Sequence, residues 1–200
     1  MSMTRLLLGL NDQGRRLSLE EFRDAEETQG YRYELARGVV EVTEVPNDPH
    51  GQIVSNLYEA IAVYKRFYLK RIRRFGGGSE FRLWVPEMES GRNPDLSIVF
   101  EGASKDQRGR FKPALVVEVV SPSGEERDYV TKREEYLVYG VDEYWGVDPS
   151  VFEVLVLCAV EVDGVTRWSE SVFVGDETIV SRRLPGLACR VSDLWVDADL

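Results

Sequence analysis

Between positions 114 and 120 the chain reads Ala-Leu-Val-Val-Glu-Val-Val, an apolar run broken only by Glu118. Such a run predicts a strand covered on both faces. Shorter runs predict strands at 81–85, 94–100 and 144–147, while 151–162 and 165–174 flank Asp163-Gly164, a hairpin signal. Segments 31–35 and 39–45 predict a second hairpin, joined at Ala36-Arg37-Gly38. Helical spacing shows elsewhere. Ile53, Leu57, Ile61, Tyr64 and Tyr68 form one stripe, opened by Pro46-Asn47-Asp48-Pro49 and closed by Gly76-Gly77-Gly78. A shorter helix follows Ser18, with Glu21 completing a capping-box pattern and Gly30 ending it. A third helix is predicted over 125–139, stopped by Gly140, and polar loops over 86–93 and 101–112. Leu184-Pro185-Gly186-Leu187 introduces the C-terminal segment. With no repeat or linker between them, the elements are expected to form one domain over residues 1–200, around one sheet-centred core of mixed α/β type.

Composition adds exclusions. Two hundred residues with 43% hydrophobic content suffice for a single core. The opening MSMTRLLLGL is too briefly apolar to read as a signal peptide, and no run approaches a bilayer span, so a cytoplasmic protein with no membrane partner is expected. Cys158 and Cys189 lack metal-ligand spacing and read as small hydrophobes. A net charge of −10 works against sequence-blind attraction to nucleic acid. The cations are nevertheless clustered, in Lys65, Arg66, Lys70, Arg71, Arg73 and Arg74 and again in Lys105, Arg108, Arg110 and Lys112. Each cluster is either a solvated face or a phosphate-contact surface.

Candidate chemistry starts from Glu118. A buried strand carries a carboxylate only if the group is protonated, paired with a cation or bound to a metal, unless it lies at an exposed rim. Asp95, after Pro94 at the entry to another apolar strand, is by itself an ordinary turn residue. If the two strands are neighbours, the two acids converge, and an oxygen-only pair favours Mg²⁺ or Mn²⁺ over zinc. On the wheel of the 125–139 helix, Tyr129, Val130, Tyr136, Leu137 and Tyr139 form the inward arc, and Thr131, Glu134 and Glu135 the polar side. Lys132 and Arg133 both fall inside the arc, so the wheel leaves open which cation meets the acids.

These residues belong to an ordered series: Tyr33-Glu34-Leu35 with Gly38, Pro49-His50-Gly51, Pro94-Asp95-Leu96, Val117-Glu118-Val119 with Ser121-Pro122-Ser123, Arg127-Asp128 with Lys132, Glu143-Tyr144-Trp145 with Val147-Asp148-Pro149, and Leu184-Pro185-Gly186-Leu187. The series resembles the Uma-type endonucleases, a branch of the PD-(D/E)XK nuclease superfamily. The resemblance implies a restriction-endonuclease-like core, a central mixed sheet flanked by helices. It implies Asp95 and Glu118 as metal-binding acids, the Val119 carbonyl as a further ligand, Lys132 as the lysine moved onto the following helix, and His50 and Glu34 as supporting groups. Val120 stands where the superfamily pattern has its lysine. Lys132 is therefore expected to project into the cleft and Arg133 to turn away.

The chemistry so implied is Mg²⁺- or Mn²⁺-assisted hydrolysis of phosphodiester bonds, with nucleic acid, DNA foremost, as partner. A homodimer stays open as the assembly. Two other classes remain: a nuclease-fold binding or regulatory module without activity, and a hydrolase acting on a small phosphorylated substrate.

Overall fold

The computed structural model of the protein describes residues 5–44, 48–106, 109–121 and 127–199. Its strands form a six-stranded and a four-stranded sheet, with a two-stranded ladder beside them. The six-stranded one is the central mixed sheet that was expected, and the four-stranded one is additional to it. The central sheet runs β12-β11-β10-β9-β8-β5, from β5 (Ile72–Gly76), β8 (Leu96–Phe100), β9 (Leu115–Val119), β10 (Glu143–Asp148), β11 (Glu153–Val162) and β12 (Val165–Val174). It is mixed: β9 pairs parallel with β10 and antiparallel with β8. The apolar run is thus central, as a strand without a polar face must be.

Alternation along β9 divides the core. Leu115, Val117 and Val119 pack with Ile53, Leu57, Ile61 and Tyr64 of helix α2 (His50–Phe67). Val116 faces the other way, with Tyr136 of α3 (Lys132–Tyr139) and Tyr144 of β10. Glu118, two positions on, shares the face of Val116. The mixed sheet is therefore flanked by a helix on each face.

The second sheet runs β4-β3-β7-β6, from β3 (Tyr31–Ala36), β4 (Val39–Glu44), β6 (Leu83–Val85) and β7 (Ser90–Arg92). The first predicted hairpin belongs here; Arg37 and Gly38 have φ of 49° and 78°, the two positive values of a two-residue turn. The last residue predicted for that hairpin, Val45, and Pro46-Asn47 lie outside the described residues. Beneath the sheet, Tyr33, Leu35 and Val40 pack with Phe22 of α1 (Leu19–Asp24), which Ser18 and Glu21 cap as predicted. The two-stranded ladder joins β1 (Leu7–Leu8) in parallel with β2 (Glu26–Glu27).

Several boundaries differ from expectation. The first helix ends at Asp24, because Ala25 is already extended and β2 follows, so Gly30 is not its stop. The long helix ends at Phe67; Tyr68 is 41% exposed, and β5 occupies residues read as the helix end. Four cations in 70–74 conceal this edge strand, whose outer face needs no apolar residues. The loop predicted at 86–93 contains β7, whose short polar sequence carries no alternation signal. In the third helix, residues 122–126 lie outside the described residues and Arg127–Thr131 is π-helical before α3 begins. A wheel drawn at 100° per residue fails across a π turn. Glu135 is consequently buried and Val130 is 53% exposed, each the reverse of expectation.

Gly77 brings β5 against the start of β8: a β-carbon there would overlap the Asp95 carbonyl oxygen, and that obstacle is backbone. At Gly9 the nearest atom to such a carbon is a Thr28 hydroxyl oxygen 3.9 Å away. Gly77→Ala is expected to lower stability by about 1–3 kcal/mol and Gly9→Ala to change it by less than about 1 kcal/mol. Urea unfolding midpoints of the two variants would check this contrast.

Candidate active site

Register brings the two acids together. Leu96 pairs with Val117 across the antiparallel β8–β9 ladder, so one further step sets Asp95 opposite Glu118 on the same face. A hydrogen bond ties them as well: the Val119 N–H donates to Asp95 Oδ2 at 2.9 Å. Both carboxylates line an open cleft of about 790 Å³ between the two sheets, which Glu34, His50, Val119, Asp128 and Lys132 also border.

The second sheet supplies counter-charge to Asp95. From β3, Arg32 donates through Nη1 to Asp95 Oδ1 at 2.8 Å and through Nη2 to the Asn93 carbonyl at 2.9 Å. His50, at the start of α2, sets Nε2 3.1 Å from the same carboxylate oxygen, yet this buried nitrogen has no aligned hydrogen-bond partner among the described residues. The two groups are in close electrostatic contact. Burial works to raise the Asp95 pKa, but His50, Arg32 and Lys132 outweigh it and hold the group well below the usual carboxylate range.

Glu118 is in the opposite condition. Burial, with Asp95, Asp128 and Glu34 nearby, outweighs the pull of Lys132 and pushes its pKa up to about 8. The two neighbouring acids are thus shifted in opposite directions. Lys132 Nζ stands 2.9 Å from Glu118 Oε2, 3.1 Å from Asp128 Oδ1 and 3.8 Å from Glu34 Oε2. Burial opposes the lysine's charge, but these three acids raise its pKa above the ordinary value and keep it cationic. The Tyr136 hydroxyl donates to the other oxygen of Glu118. Arg133 turns outward and pairs with Glu170 on β12.

Behind the cleft lies a cluster that the sequence reading missed. Arg92 of β7 is fully buried and pairs with Glu34 at 3.2 Å, with Glu41 of β4 at 2.5 Å and with Glu135 of α3 at 2.5 Å. Glu34 also accepts the Asn93 N–H at 2.6 Å. Although burial would raise it, Lys132, Arg92 and this N–H lower the Glu34 pKa to about 2. Arg32 and Glu34, two apart on β3, both project toward the acids from the face opposite Tyr33 and Leu35.

The donors fit a hard divalent cation. Both carboxylates offer oxygen, burial and like charges leave Glu118 reluctant to ionise, and His50 Nε2 lacks a hydrogen-bond partner among the described residues. No group of three or more His, Cys, Asp or Glu side chains among the described residues is arranged to hold a metal, so main-chain or water oxygen would complete the shell. Mg²⁺ is commonly held in that way, by one or two carboxylates.

Residues 19–192 match the model of the Uma2 family, described as "Putative restriction endonuclease". No curated protein matches the chain. A crystal structure described as "a putative nuclease belonging to DUF820", from Anabaena variabilis ATCC 29413, shares its fold, with a TM-score of 0.69 at 20% identity over 90% of this chain and 98% of that one. No helix among the described residues is long and apolar enough to cross a membrane.

Removing Arg92 would strand three carboxylates, all on elements that bound the cleft. Arg92→Met is expected to cost about 3–5 kcal/mol, whereas Arg133→Met, which breaks an exposed pair, is expected to cost less than about 1 kcal/mol. Chemical denaturation of both variants measures the difference.

Proposed function

The chain belongs to the Uma2 family, and from that membership we propose that it is a metal-dependent endonuclease hydrolysing phosphodiester bonds of nucleic acid, DNA foremost. One observation carries the reading: two acids opposed across β8–β9, with the Lys132 ammonium 2.9 Å from one of them, at a cleft between the sheets. Asp95 and Glu118 would hold Mg²⁺ or Mn²⁺, with the Val119 carbonyl as a further oxygen. A divalent ion so held supplies Lewis-acid polarisation of the phosphate and acidifies a water.

The protein's own groups do the rest. Lys132 retains its proton and offers a compact positive charge to a phosphate oxygen or to the attacking water, offsetting charge as the phosphorane forms. Tyr136 fixes one oxygen of Glu118, so the other faces the lysine. Glu34, itself held by Arg92 and the Asn93 N–H, keeps Lys132 from swinging away. His50 shares Asp95 with Arg32 and helps orient it. The water oxygen attacks phosphorus, the bond to the leaving oxygen breaks, and a proton passes to that oxygen.

Supercoiled plasmid incubated with Mn²⁺ tests the proposal. Native protein is expected to nick it, chelator to stop nicking, and Asp95→Asn and Lys132→Met each to lower the rate about 100-fold or more. Lys132 also balances buried acids, so its variant is assayed at a temperature where circular dichroism shows it folded. Nicking that persists undiminished in Asp95→Asn overturns the assignment. Mn²⁺ and DNA binding without cleavage would favour the binding-module reading.

The pKa of Glu118 gives a second test. Its folded value, about 8, lies above the ordinary 4.5, so between those values the folded chain keeps a proton that the unfolded chain has lost. Metal-free stability contributed by this group therefore falls as pH rises through that window. Glu118→Gln should abolish that decline in urea titrations. Metal that ionises Glu118 should release about one proton at pH 7, and calorimetry in buffers of different ionisation enthalpy should find none from Glu118→Gln.

A further inference from the structure

Neither basic cluster of the sequence is used by the cleft chemistry, yet the fold joins residues of both into one strip that begins beside the Asp95 backbone. The Tyr58 hydroxyl contacts the Asp95 carbonyl at 3.4 Å, and its ring meets Phe75 of β5 edge-on at 5.7 Å. Lys65 lies over the Phe75 ring at 5.7 Å and donates to the Arg73 carbonyl at 3.3 Å. Arg73 stacks over Phe111 at 4.0 Å, and Lys105 covers the same ring at 5.0 Å. Cations and aromatic rings thus follow one another outward from the backbone of one of the two acids. Tyr58, Lys65, Phe75 and Phe111 are half-buried, while Arg73 and Lys105 are exposed.

Backbone geometry gives the strip its charge. The β5–β8 register shifts between Ile72 and Arg74, a bulge that exposes both Arg73 and Arg74 where simple alternation would turn one inward. Gly77, against Asp95, is three residues beyond Arg74. At the rise of a strand this is about 10 Å, close to three base steps of 3.4 Å along a nucleic-acid strand. Edge strands also carry cations merely to prevent sheet-to-sheet pairing, and that alternative predicts no contact with phosphate. A row of cations in a chain of net charge −10 suits the phosphates of a polyanion.

We infer that the β5 edge, from Tyr58 through Arg73 to Lys105, is the track along which a nucleic-acid strand leaves the cleft, held through its phosphates without regard to sequence. This inference rests on the nuclease reading and adds the substrate's path. The test is fluorescence anisotropy of a labelled oligonucleotide, single-stranded and duplex, in chelator at several salt concentrations. It compares native protein, Arg73→Glu/Lys105→Glu, and a control with Arg167→Glu on β12, the opposite edge of the same sheet.

The double variant is expected to bind at least about tenfold more weakly, with the slope of log affinity on log salt reduced by about 2, while Mn²⁺ binding stays native. The control should change little. Equal weakening from both edges, an unchanged double variant, or no oligonucleotide binding by the native chain at low salt each overturns the inference. If binding depends on Arg73 and Lys105 but Mn²⁺ supports no cleavage, the track stands and the nuclease reading fails. If native protein cleaves and the double variant binds as tightly as native, the reverse holds.

Discussion

A carboxylate on the buried central strand of a sheet has to be met by cations, and much of this molecule's polar architecture answers Glu118. Lys132 comes to it from α3, Tyr136 fixes its second oxygen, and Glu34 and Asp128 hold the lysine in turn. Each added charge needs its own partner. Glu34 is balanced by Arg92, and Arg92 draws in Glu41 and Glu135, so the chain of compensation runs through both sheets and α3. Buried ion pairs of this sort contribute little net stability compared with apolar packing, but breaking one is expensive. Such a network fixes where side chains point more than it strengthens the fold.

The acids are legible in sequence because they violate a local rule. Glu118 interrupts an apolar run, and Asp95 enters a neighbouring one, so strand pairing alone makes them converge. Lys132 needed the family pattern, since periodicity could not separate it from Arg133. Arg32, Arg92 and Glu135 were given no part in the site, each for a physical reason. Arg32 lies on a half-polar strand whose outward face, in an ordinary hairpin, meets water; here it meets a second sheet. Arg92 sits in a three-residue strand too short for periodicity, and Glu135 follows a π turn that rotates it inward.

The fold was legible where burial is two-sided or turn residues mark a hairpin, and obscure where neither holds. β9, β8 and the β11–β12 hairpin are marked by apolar runs or turn residues, whereas β5 and β7 are an edge strand and a short polar one. The hairpin at Arg37-Gly38 was found, but nothing in its own sequence tells which sheet it joins. That depends on β6 and β7, which reach it from about fifty residues further along the chain.

One consequence follows from the division into layers. Both acids are rooted in the six-stranded sheet, whereas Arg32, Glu34 and Arg92 are rooted in the four-stranded one. The cleft is thus a charged gap between two plates, like that of a capacitor whose spacing sets its field. A small slide of one plate past the other would uncover Asp95 from Arg32 without moving the strand that holds it. Asp95 would then have lost one of its counter-charges, while its spacing to Glu118, set by backbone pairing, stayed constant.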